Sequence, residues 1–439
     1  MEYTSLLLFP FLLVLLFAGF PVAFSMMATA FVFGVWTFGW AFVFQVSEKI
    51  EDVASNFVLA AVPLFVFMGT MMERSGIANR LFEAIHLWTR RLPGGLAVGT
   101  VLMCIVFAAS SGVVGATETV IGLLAIPVMM RYRYNKELIV GTICAGGSLG
   151  TIIPPSVVVV IMGPLANVSV GDLMVGMVFP GLIMAGAYIV YILAVCTLRP
   201  EMGPRIPPAA DDPPLGEKLR VTAVALVPPL CMIFAVLGSI MLGWAAPTEA
   251  AALGAAGSVV LTLFYRTFTW SVLHEAVMKT LLISTMIMAI ILGGSMMTGA
   301  FVGAGGIAVA QELVDSMALG PWGLLGIVLF LAFIGGFFLD WISIVLILVP
   351  IFSPLLTAAG IDMVWFCIAL LIVIQTSYLS PPMAPAIFYF RAISPPEITT
   401  GHMYRGVVPF IGLQVVTLAI VLTFPGVVLW LPKMLLTPG

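Results

Sequence analysis

The sequence predicts an all-α polytopic membrane protein built from two inverted repeats, each with a re-entrant hairpin and a broken helix. Three observations lead to this fold class. Only 8% of the 439 residues are charged and 62% are hydrophobic, whereas an ordinary soluble domain has about 25% charged residues. Apolar runs long enough to cross a bilayer core of about 30 Å recur along the whole chain. Gly and Pro residues of the first half recur in the second half at nearly constant spacing.

The same composition excludes several classes of protein. A soluble enzyme or a nucleic-acid-binding protein would need far more polar surface, and the net charge of −3 is too small to indicate a polyanionic partner. The five cysteines lie in apolar segments without CxxC spacing, and the three histidines are far apart in the sequence. Neither disulfides nor a metal centre is therefore indicated, and no organic cofactor is expected.

A Pro-rich and charged linker at 199–220 divides the chain into a first repeat, 1–198, and a second repeat, 221–439. Six positions recur in order across this linker, with an offset of about 225 residues: Pro21 and Pro247, Gly69 and Gly294, Pro93 and Pro321, Gly112 and Gly336, Pro127 and Pro350, and Pro155 and Pro382. A single match of such common residues means little, but six in the same order indicate an internal duplication.

Each repeat contains one long apolar stretch and one interrupted helix. The stretches 96–130 and 321–356 are too long for one crossing and too short for two, which predicts re-entrant hairpins with Gly-containing tips. The segments 137–165 and 363–391 each carry a Pro-Pro pair near the middle. Because two adjacent prolines remove two helix donors, both segments are predicted to be broken helices.

The positive charges give the orientation. When crossings are counted along the chain, every Lys and Arg except Lys49 and Lys433 falls on one side, which is the cytoplasmic side by the positive-inside rule. The linker is therefore predicted to be cytoplasmic. The second hairpin is flanked by 301–320 and 357–362, which contain no Lys or Arg, so it is predicted to enter from the outside. The two repeats are thus inverted.

Inverted repeats of this kind are typical of secondary transporters, whose sites lie near the bilayer midplane where helices are interrupted. Four interruptions are predicted here, at 109–118, 150–156, 335–340 and 375–383. Freed carbonyls and hydroxyls are hard oxygen donors that suit Na⁺, and helix N-termini suit a carboxylate. The interruptions are therefore the candidate ion and substrate sites.

Two acidic residues lie near the hairpin tips, and each has two interpretations. A charged side chain inside the membrane costs about 2.5–3.5 kcal/mol on insertion scales. Asp340 and Glu118 are therefore candidates for supporting a site. The alternative is that each carboxylate caps a helix or bonds to backbone.

Six motifs together resemble a known family. They are VPLFVFMGTMMERSGI (62–77), RLPGGLAVGTVL (91–102), AGGSLGTIIPPS (145–156), APTEAAALGA (246–255), GFFLD (336–340) and SPP (380–382). In this order, over about residues 5–435, they resemble the large membrane subunit, M, of tripartite ATP-independent periplasmic (TRAP) transporters. The stretch 375–390 is similar to a branch linked to oxo acids, mannitol and chloroaromatic acids.

The resemblance implies a function and partners. It implies the transport subunit of an importer in the bacterial inner membrane that moves an organic acid by Na⁺ symport and an elevator mechanism. It also implies two partners, a small four-helix membrane subunit, Q, and a periplasmic substrate-binding protein.

The resemblance further implies two Na⁺ sites. The first would use Ser111 at the hairpin tip and carbonyls at Gly150, Ile153 and Pro154. The second would use carbonyls or hydroxyls at Gly336, Ser377, Ser380 and Met383.

This chain departs from the family pattern around both sites. Val113 and Val114 replace two hydroxyl residues, so the first site is expected to bind Na⁺ weakly or to stay empty. Ser380 replaces a common Thr and keeps the hydroxyl. Gln375 replaces a common Glu and is a candidate for supporting the site.

Two other functions remain as alternatives. A self-sufficient carboxylate transporter or antiporter could share the inverted-repeat plan and would need no partner subunits. An intramembrane enzyme would need a nucleophile–base pair or clustered acids, and the sequence offers neither.

Overall fold

The computed structural model describes residues 4–111, 116–206, 213–316 and 320–436, which form helices and turns without a β-strand among them. The helices of the first half are α1 (Leu8–Phe17), α2 (Val22–Phe38), α3 (Phe42–Ser55), α4 (Ala61–Arg74), α5 (Ile77–Thr89), α6 (Gly95–Ser111), α7 (Ala116–Arg131), α8 (Lys136–Ser148), α9 (Val157–Ala166), α10 (Val170–Gly176) and α11 (Val178–Leu198). Those of the second half are α12 (Leu215–Met241), α13 (Pro247–Phe264), α14 (Trp270–Gly303), α15 (Gly306–Ser316), α16 (Pro321–Gly335), α17 (Trp341–Ala358), α18 (Met363–Leu379), α19 (Pro385–Ile393), α20 (Thr400–Thr423) and α21 (Gly426–Leu435). Within the described residues, eight helical stretches are long and apolar enough to cross a bilayer. The predicted all-α membrane protein is confirmed.

Both predicted hairpins are present. In the first, α6 packs against α7, and in the second, α16 packs against α17. The entering arms α6 and α16 contain 17 and 15 residues. At 1.5 Å per residue they are about 25 and 22 Å long, shorter than a bilayer core of about 30 Å. These arms therefore suit a re-entrant path.

Both predicted broken helices are also present. In the first repeat, α8 ends at Ser148 and α9 begins at Val157. In the second repeat, α18 ends at Leu379 and α19 begins at Pro385. The predicted limits, 137–165 and 363–391, lie within two residues of these helices. The helices are interrupted at the Pro-Pro pairs because proline has no N–H to donate to the helical hydrogen bonds.

The two halves pack against each other reciprocally. Helix α9 after the first break contacts α17 of the second hairpin, and α19 after the second break contacts α7 of the first hairpin. Likewise, α2 packs on α14 while α4 packs on α13. Such an exchange of equivalent contacts is what two repeats related by a pseudo-twofold axis produce.

The linker is shorter than predicted. Helix α12 begins at Leu215, so the last residues of the predicted 199–220 segment are helical. Glu217 lies in the first turn, where a carboxylate is favourable beside the free N–H groups. Hydropathy places a helix end where the apolar run stops, and it therefore misses a charged first turn that extends out of the membrane.

The first part of the linker forms a strap across the base of the first hairpin. The strap comprises residues 199–206, and it is held by three backbone hydrogen bonds: Gly94 N to Gly203 O at 3.0 Å, Asn135 N to Met202 O at 2.9 Å, and Ile206 N to Arg90 O at 3.1 Å. Both ends of the hairpin are thus fixed to the strap.

Ion pairs join the two halves on the face predicted to be cytoplasmic. Arg74 contacts Glu275 at 3.2 Å, and Lys279 contacts Glu73 at 2.6 Å. These residues end α4 and begin α14, so the predicted placement of their charges on one face agrees with the contacts.

Candidate functional site

The Pro-Pro pairs leave carbonyl oxygens without helical partners at both breaks. In an α-helix, each carbonyl accepts from the N–H four residues later. The donors for the carbonyls of Gly150 and Thr151 would be Pro154 and Pro155, and proline has no N–H. At the second break, Pro381 and Pro382 remove the ordinary donors for Ser377 and Tyr378 in the same way, and the Ser377 carbonyl accepts instead from Ser380 N at 3.0 Å. The breaks therefore present carbonyl oxygens, which are ligands for a hard cation.

Two serine hydroxyls of the second break also have acceptor capacity. Ser377 Oγ donates to the Ile374 carbonyl at 2.8 Å, and Ser380 Oγ donates to the Thr376 carbonyl at 2.7 Å. Each hydroxyl uses its only hydrogen in this bond, so its oxygen lone pairs remain able to face a cation. Both side chains are buried. This geometry suits their predicted role as Na⁺ ligands.

The tip of the second hairpin lies directly against the second break. A Cβ added to Gly336 would overlap Ser377 Oγ and lie 2.6 Å from Ser377 Cβ. Only glycine therefore fits at this contact, although its backbone φ of −66° is available to any residue. The structure thus brings together Gly336 and Ser377, two residues that the family resemblance assigned to one site.

The second break is more accessible than the first. Pro381, Pro382 and Met383 are exposed, and the Met383 side chain is 46% accessible. Residues 151–156 are buried throughout. Met383 could contribute only its carbonyl as a hard ligand, because a thioether sulfur is soft.

The first predicted site is described only in part. Gly150, Ile153 and Pro154 lie together in the buried break that follows α8. Residues 112–115, which include Val113 and Val114, lie outside the described residues, and so does the Ser111 side chain. The role of Ser111 stays a prediction.

Gln375 joins the two broken helices. Its Nε2 donates to Ser148 Oγ at 3.0 Å, and its Oε1 accepts from Thr151 Oγ1 at 3.3 Å. A second amide, Gln414 Nε2 on α20, donates to Ser148 Oγ at 3.5 Å. All four side chains are buried. Gln375 therefore supports both breaks from a position between them.

Sequence reasoning missed Ser148 and Gln414. Ser148 lies in the AGGSLG motif, and Gln414 is a polar residue within an apolar helix. A polar side chain in a membrane segment is costly without a partner. This cost is the signal by which Gln414 could have been identified from the sequence as a candidate for supporting the site.

Asp340 caps the second arm of the second hairpin. Its Oδ2 accepts from Ile342 N at 3.1 Å, and its Oδ1 accepts from Ser343 Oγ at 2.5 Å. It is the N-cap residue of α17. Of the two interpretations that the sequence left open, the observed contacts correspond to capping.

The capping contacts predict different results for two substitutions of Asp340. Asp340→Asn should preserve the melting temperature and Na⁺ binding of the purified protein, because Asn caps a helix about as well as Asp. Asp340→Ala removes the cap and should cost about 0.5–2 kcal/mol of stability, measured as a lower melting temperature. Loss of Na⁺ binding in Asp340→Asn at an unchanged melting temperature would assign the carboxylate to the ion site.

Glu118 lies in the first turn of α7 and is completely buried. Its Oε2 accepts a hydrogen bond from Tyr378 Oη at 3.2 Å. Tyr378 belongs to α18, so this contact joins the first hairpin to the second broken helix. A Cβ added to Gly147 on α8 would overlap Glu118 Cγ, so α8 also packs closely on this side chain.

The fold and these interruptions define a class, a multi-pass membrane transporter. Residues 9–427 match the family model described as the DctM component of tripartite ATP-independent periplasmic transporters. The chain belongs to this family and is therefore a membrane subunit of a tripartite transporter, not an enzyme.

The names of similar proteins include several different substrates. The chain is 31% identical to a C4-dicarboxylate TRAP transporter large permease protein of Pseudomonas aeruginosa over 88% of this chain and 89% of that protein. It is 29% identical to a sialic acid TRAP transporter large permease protein of Vibrio cholerae, over 97% of both. It is 28% identical to an ectoine/5-hydroxyectoine large permease protein of Ruegeria pomeroyi, over 96% of both.

Two solved structures share the fold. The Alcanivorax borkumensis YdaH transporter superposes with a TM-score of 0.67 at 14% identity, over 96% of this chain and 98% of that one. The Neisseria gonorrhoeae MtrF structure superposes with a TM-score of 0.60 at 15% identity, over 88% of this chain and 83% of that one. At this identity the likeness concerns the fold alone.

Proposed function

We propose that this chain is the transport subunit of an importer that moves an organic acid into the cell and is driven by a Na⁺ gradient. One observation carries the proposal, the meeting of Gly336 with Ser377 at the second Pro-Pro break. The two acceptor hydroxyls and the carbonyls at this place are hard oxygen donors of the kind that a Na⁺ site requires, which supports the proposal. The C4-dicarboxylate and sialic acid named for two relatives carry carboxylate groups, which agrees with an acidic substrate.

Movement of the site would follow an elevator mechanism. The reciprocal contacts of α9 with α17 and of α19 with α7 make the hairpins and the broken helices one packed group. Helices α2, α4, α13 and α14 pack mainly among themselves and would form the scaffold. We expect the packed group to move as one body and to carry ions and substrate with it.

The proposed partners are a small four-helix membrane subunit and a periplasmic substrate-binding protein. The tripartite description of the family supports a system with these components. We expect the binding protein to select the substrate and deliver it to this chain. Among described residues, exposed apolar side chains such as Trp36, Trp40 and Trp244 suit contact with lipid or a membrane partner.

Ser380→Ala tests the ion site directly. The variant removes one oxygen ligand while the helix break is kept by the prolines. We expect the Na⁺ concentration for half-maximal thermal stabilisation of the purified protein to rise several-fold, because desolvation of Na⁺ is then less fully compensated. Titrations with K⁺ and choline serve as ionic-strength controls. An unchanged Na⁺ titration would remove Ser380 from the site.

The alternative is a self-sufficient carboxylate transporter or antiporter with the same inverted-repeat plan. Partner dependence separates the two functions. The chain would be reconstituted in vesicles with an inward Na⁺ gradient, alone or with both partners, and supplied with radiolabelled C4-dicarboxylates, sialic acid and oxo acids. We expect uptake only with both partners. Uptake by the chain alone would support the alternative.

A further inference from the structure

An open groove lies between α7 of the first hairpin and the chain that follows α19. Its volume is about 420 Å³, and small-molecule sites typically occupy about 300–1,000 Å³. Leu123, Ile126 and Met130 of α7 and Ile393 of α19 give it mainly apolar walls. Among the described lining residues, Glu397 is the one that carries a charge. The groove is thus apolar with a single carboxylate, and the proposed ion sites do not include it.

The groove lies in the half of the membrane next to the face predicted to be cytoplasmic. Helices α7 and α19 both run from a helix interruption to a last turn with a basic residue, Arg131 and Arg391. The lining part of α7, residues 122–130, rises about 12 Å at 1.5 Å per residue. This is most of one leaflet's hydrocarbon, about 15 Å. Leu123 is 56% exposed, so the groove opens where acyl chains of the inner leaflet lie.

Contacts between the two repeats shape the groove. A Cβ added to Gly122 would overlap Ile393 Cδ1, so α7 and α19 meet closely beside it. Arg391 Nη1 donates to the Ile398 carbonyl at 3.0 Å, which ties the turn that carries Glu397 back to α19. The groove and its carboxylate are therefore held by the fold itself.

The Glu397 carboxylate indicates which kind of ligand fits. In the part of the chain that the structure describes, Glu397 forms no ion pair. A carboxylate repels an organic acid, so the groove does not suit the proposed substrate. It attracts an ammonium group. An ethanolamine phospholipid combines a primary ammonium with apolar chains, and its phosphate suits the exposed Arg131 at the end of α7.

We propose that this groove binds one ethanolamine phospholipid of the inner leaflet. An acyl chain lies along the apolar wall of α7, and the headgroup ammonium pairs with Glu397. Since one wall belongs to the first hairpin and the other to the second broken helix, the bound lipid bridges the two repeats. The site is separate from the proposed Na⁺ sites and does not depend on Na⁺ coupling.

Native mass spectrometry of the full chain tests the headgroup. The chain would be purified in Na⁺-free buffer and mixed with equal amounts of phosphatidylethanolamine and phosphatidylglycerol that carry the same acyl chains. We expect Glu397→Gln to lower the ratio of bound phosphatidylethanolamine to phosphatidylglycerol by about twofold to fivefold, the range that one exposed ion pair provides. Glu83→Gln, at an exposed carboxylate of α5, is the matched control and should leave the ratio unchanged. An unchanged ratio in Glu397→Gln would overturn the proposal.

A second pair of variants tests the groove. Leu123→Trp places a larger side chain in it and should reduce bound phosphatidylethanolamine several-fold. Leu182→Trp, at a leucine of α11 with a similar exposure of 54%, should not. Equal lipid binding in the two variants would overturn the proposal, and so would displacement of the small membrane subunit by Leu123→Trp with lipid binding unchanged. If Leu123→Trp fails to fold, the Glu397→Gln ratio decides. A failed Na⁺ titration would reject only the proposed Na⁺ coupling.

Discussion

Gly336→Ala is expected to weaken Na⁺ binding by the purified protein about tenfold or more. The added Cβ would lie 2.6 Å from Ser377 Cβ and overlap its hydroxyl oxygen, so the hairpin tip must move away from the break. Overpacking of this kind typically costs about 1–3 kcal/mol, and about 1.4 kcal/mol corresponds to a factor of ten in affinity. The measurement is the Na⁺ concentration that gives half-maximal thermal stabilisation.

Gly335→Ala is the matched control for this variant. The neighbouring glycine is the last residue of α16, and a Cβ there would meet only Ile344 Cγ1 at 3.9 Å. We expect its Na⁺ titration to match that of the unchanged protein. Equal effects of the two substitutions would mean that Na⁺ binding responds to the loss of either glycine at the hairpin tip. The Gly336–Ser377 contact would then not explain the effect.

Gln375→Leu is expected to destabilise both broken helices at once. The substitution keeps most of the side-chain volume but removes the donor to Ser148 Oγ and the acceptor for Thr151 Oγ1. Thr151 Oγ1 still donates to the Ser148 carbonyl at 2.9 Å, and Ser148 Oγ still donates to the Ala145 carbonyl at 2.8 Å. The cost is therefore the net contribution of the lost hydrogen bonds, about 0.5–1.5 kcal/mol each. We therefore expect a lower melting temperature and weaker Na⁺ binding at the second break.

Gln414→Leu provides the comparison for Gln375→Leu. It is the same chemical change at a second amide, which donates to the same Ser148 hydroxyl at a longer distance, 3.5 Å. Gln414 lies on α20, outside both broken helices. A smaller loss of melting temperature with normal Na⁺ binding is expected. If Gln414→Leu impaired Na⁺ binding as strongly, the effect would belong to Ser148 and not to Gln375.

The interruptions of the helices could be predicted from the sequence because local chemistry determines them. Proline has no N–H, so Pro154-Pro155 and Pro381-Pro382 must end a helix wherever they lie. The hairpins followed from length, since 96–130 and 321–356 fit no whole number of crossings. The structure has the arms of the first hairpin at Gly95–Ser111 and Ala116–Arg131, and those of the second at Pro321–Gly335 and Trp341–Ala358. The division into repeats 1–198 and 221–439 stays a prediction.

Helix ends outside the apolar core were less predictable. Helix α14 extends from Trp270 to Gly303, beyond the uncharged apolar segment 280–300. The additional turns carry Glu275 and Lys279, which are stabilised by Arg74 and Glu73 of α4. Hydropathy does not register such partners, because they come from the other repeat.

The contacts that build the candidate site could not be predicted for the same reason. Gln375 and Ser148 belong to different repeats, and so do Glu118 and Tyr378. The residue types of Gln375 and Glu118 suggested support for a site, but only the three-dimensional packing shows that Ser148 and Tyr378 are their partners. Asp340 was predictable as a cap, since a carboxylate before an apolar helix is a local pattern.

The strap at the base of the first hairpin limits how far this hairpin can move from the start of α12. Its last hydrogen bond fixes Ile206 to Arg90, and α12 begins at Leu215. The chain between these two residues can extend to about 30 Å at most. The hairpin base can therefore never lie farther than this from the start of α12 while the strap is in place. If the hairpin moves as the proposed elevator mechanism requires, shortening this connection would reduce the distance that it travels without any change to the binding sites.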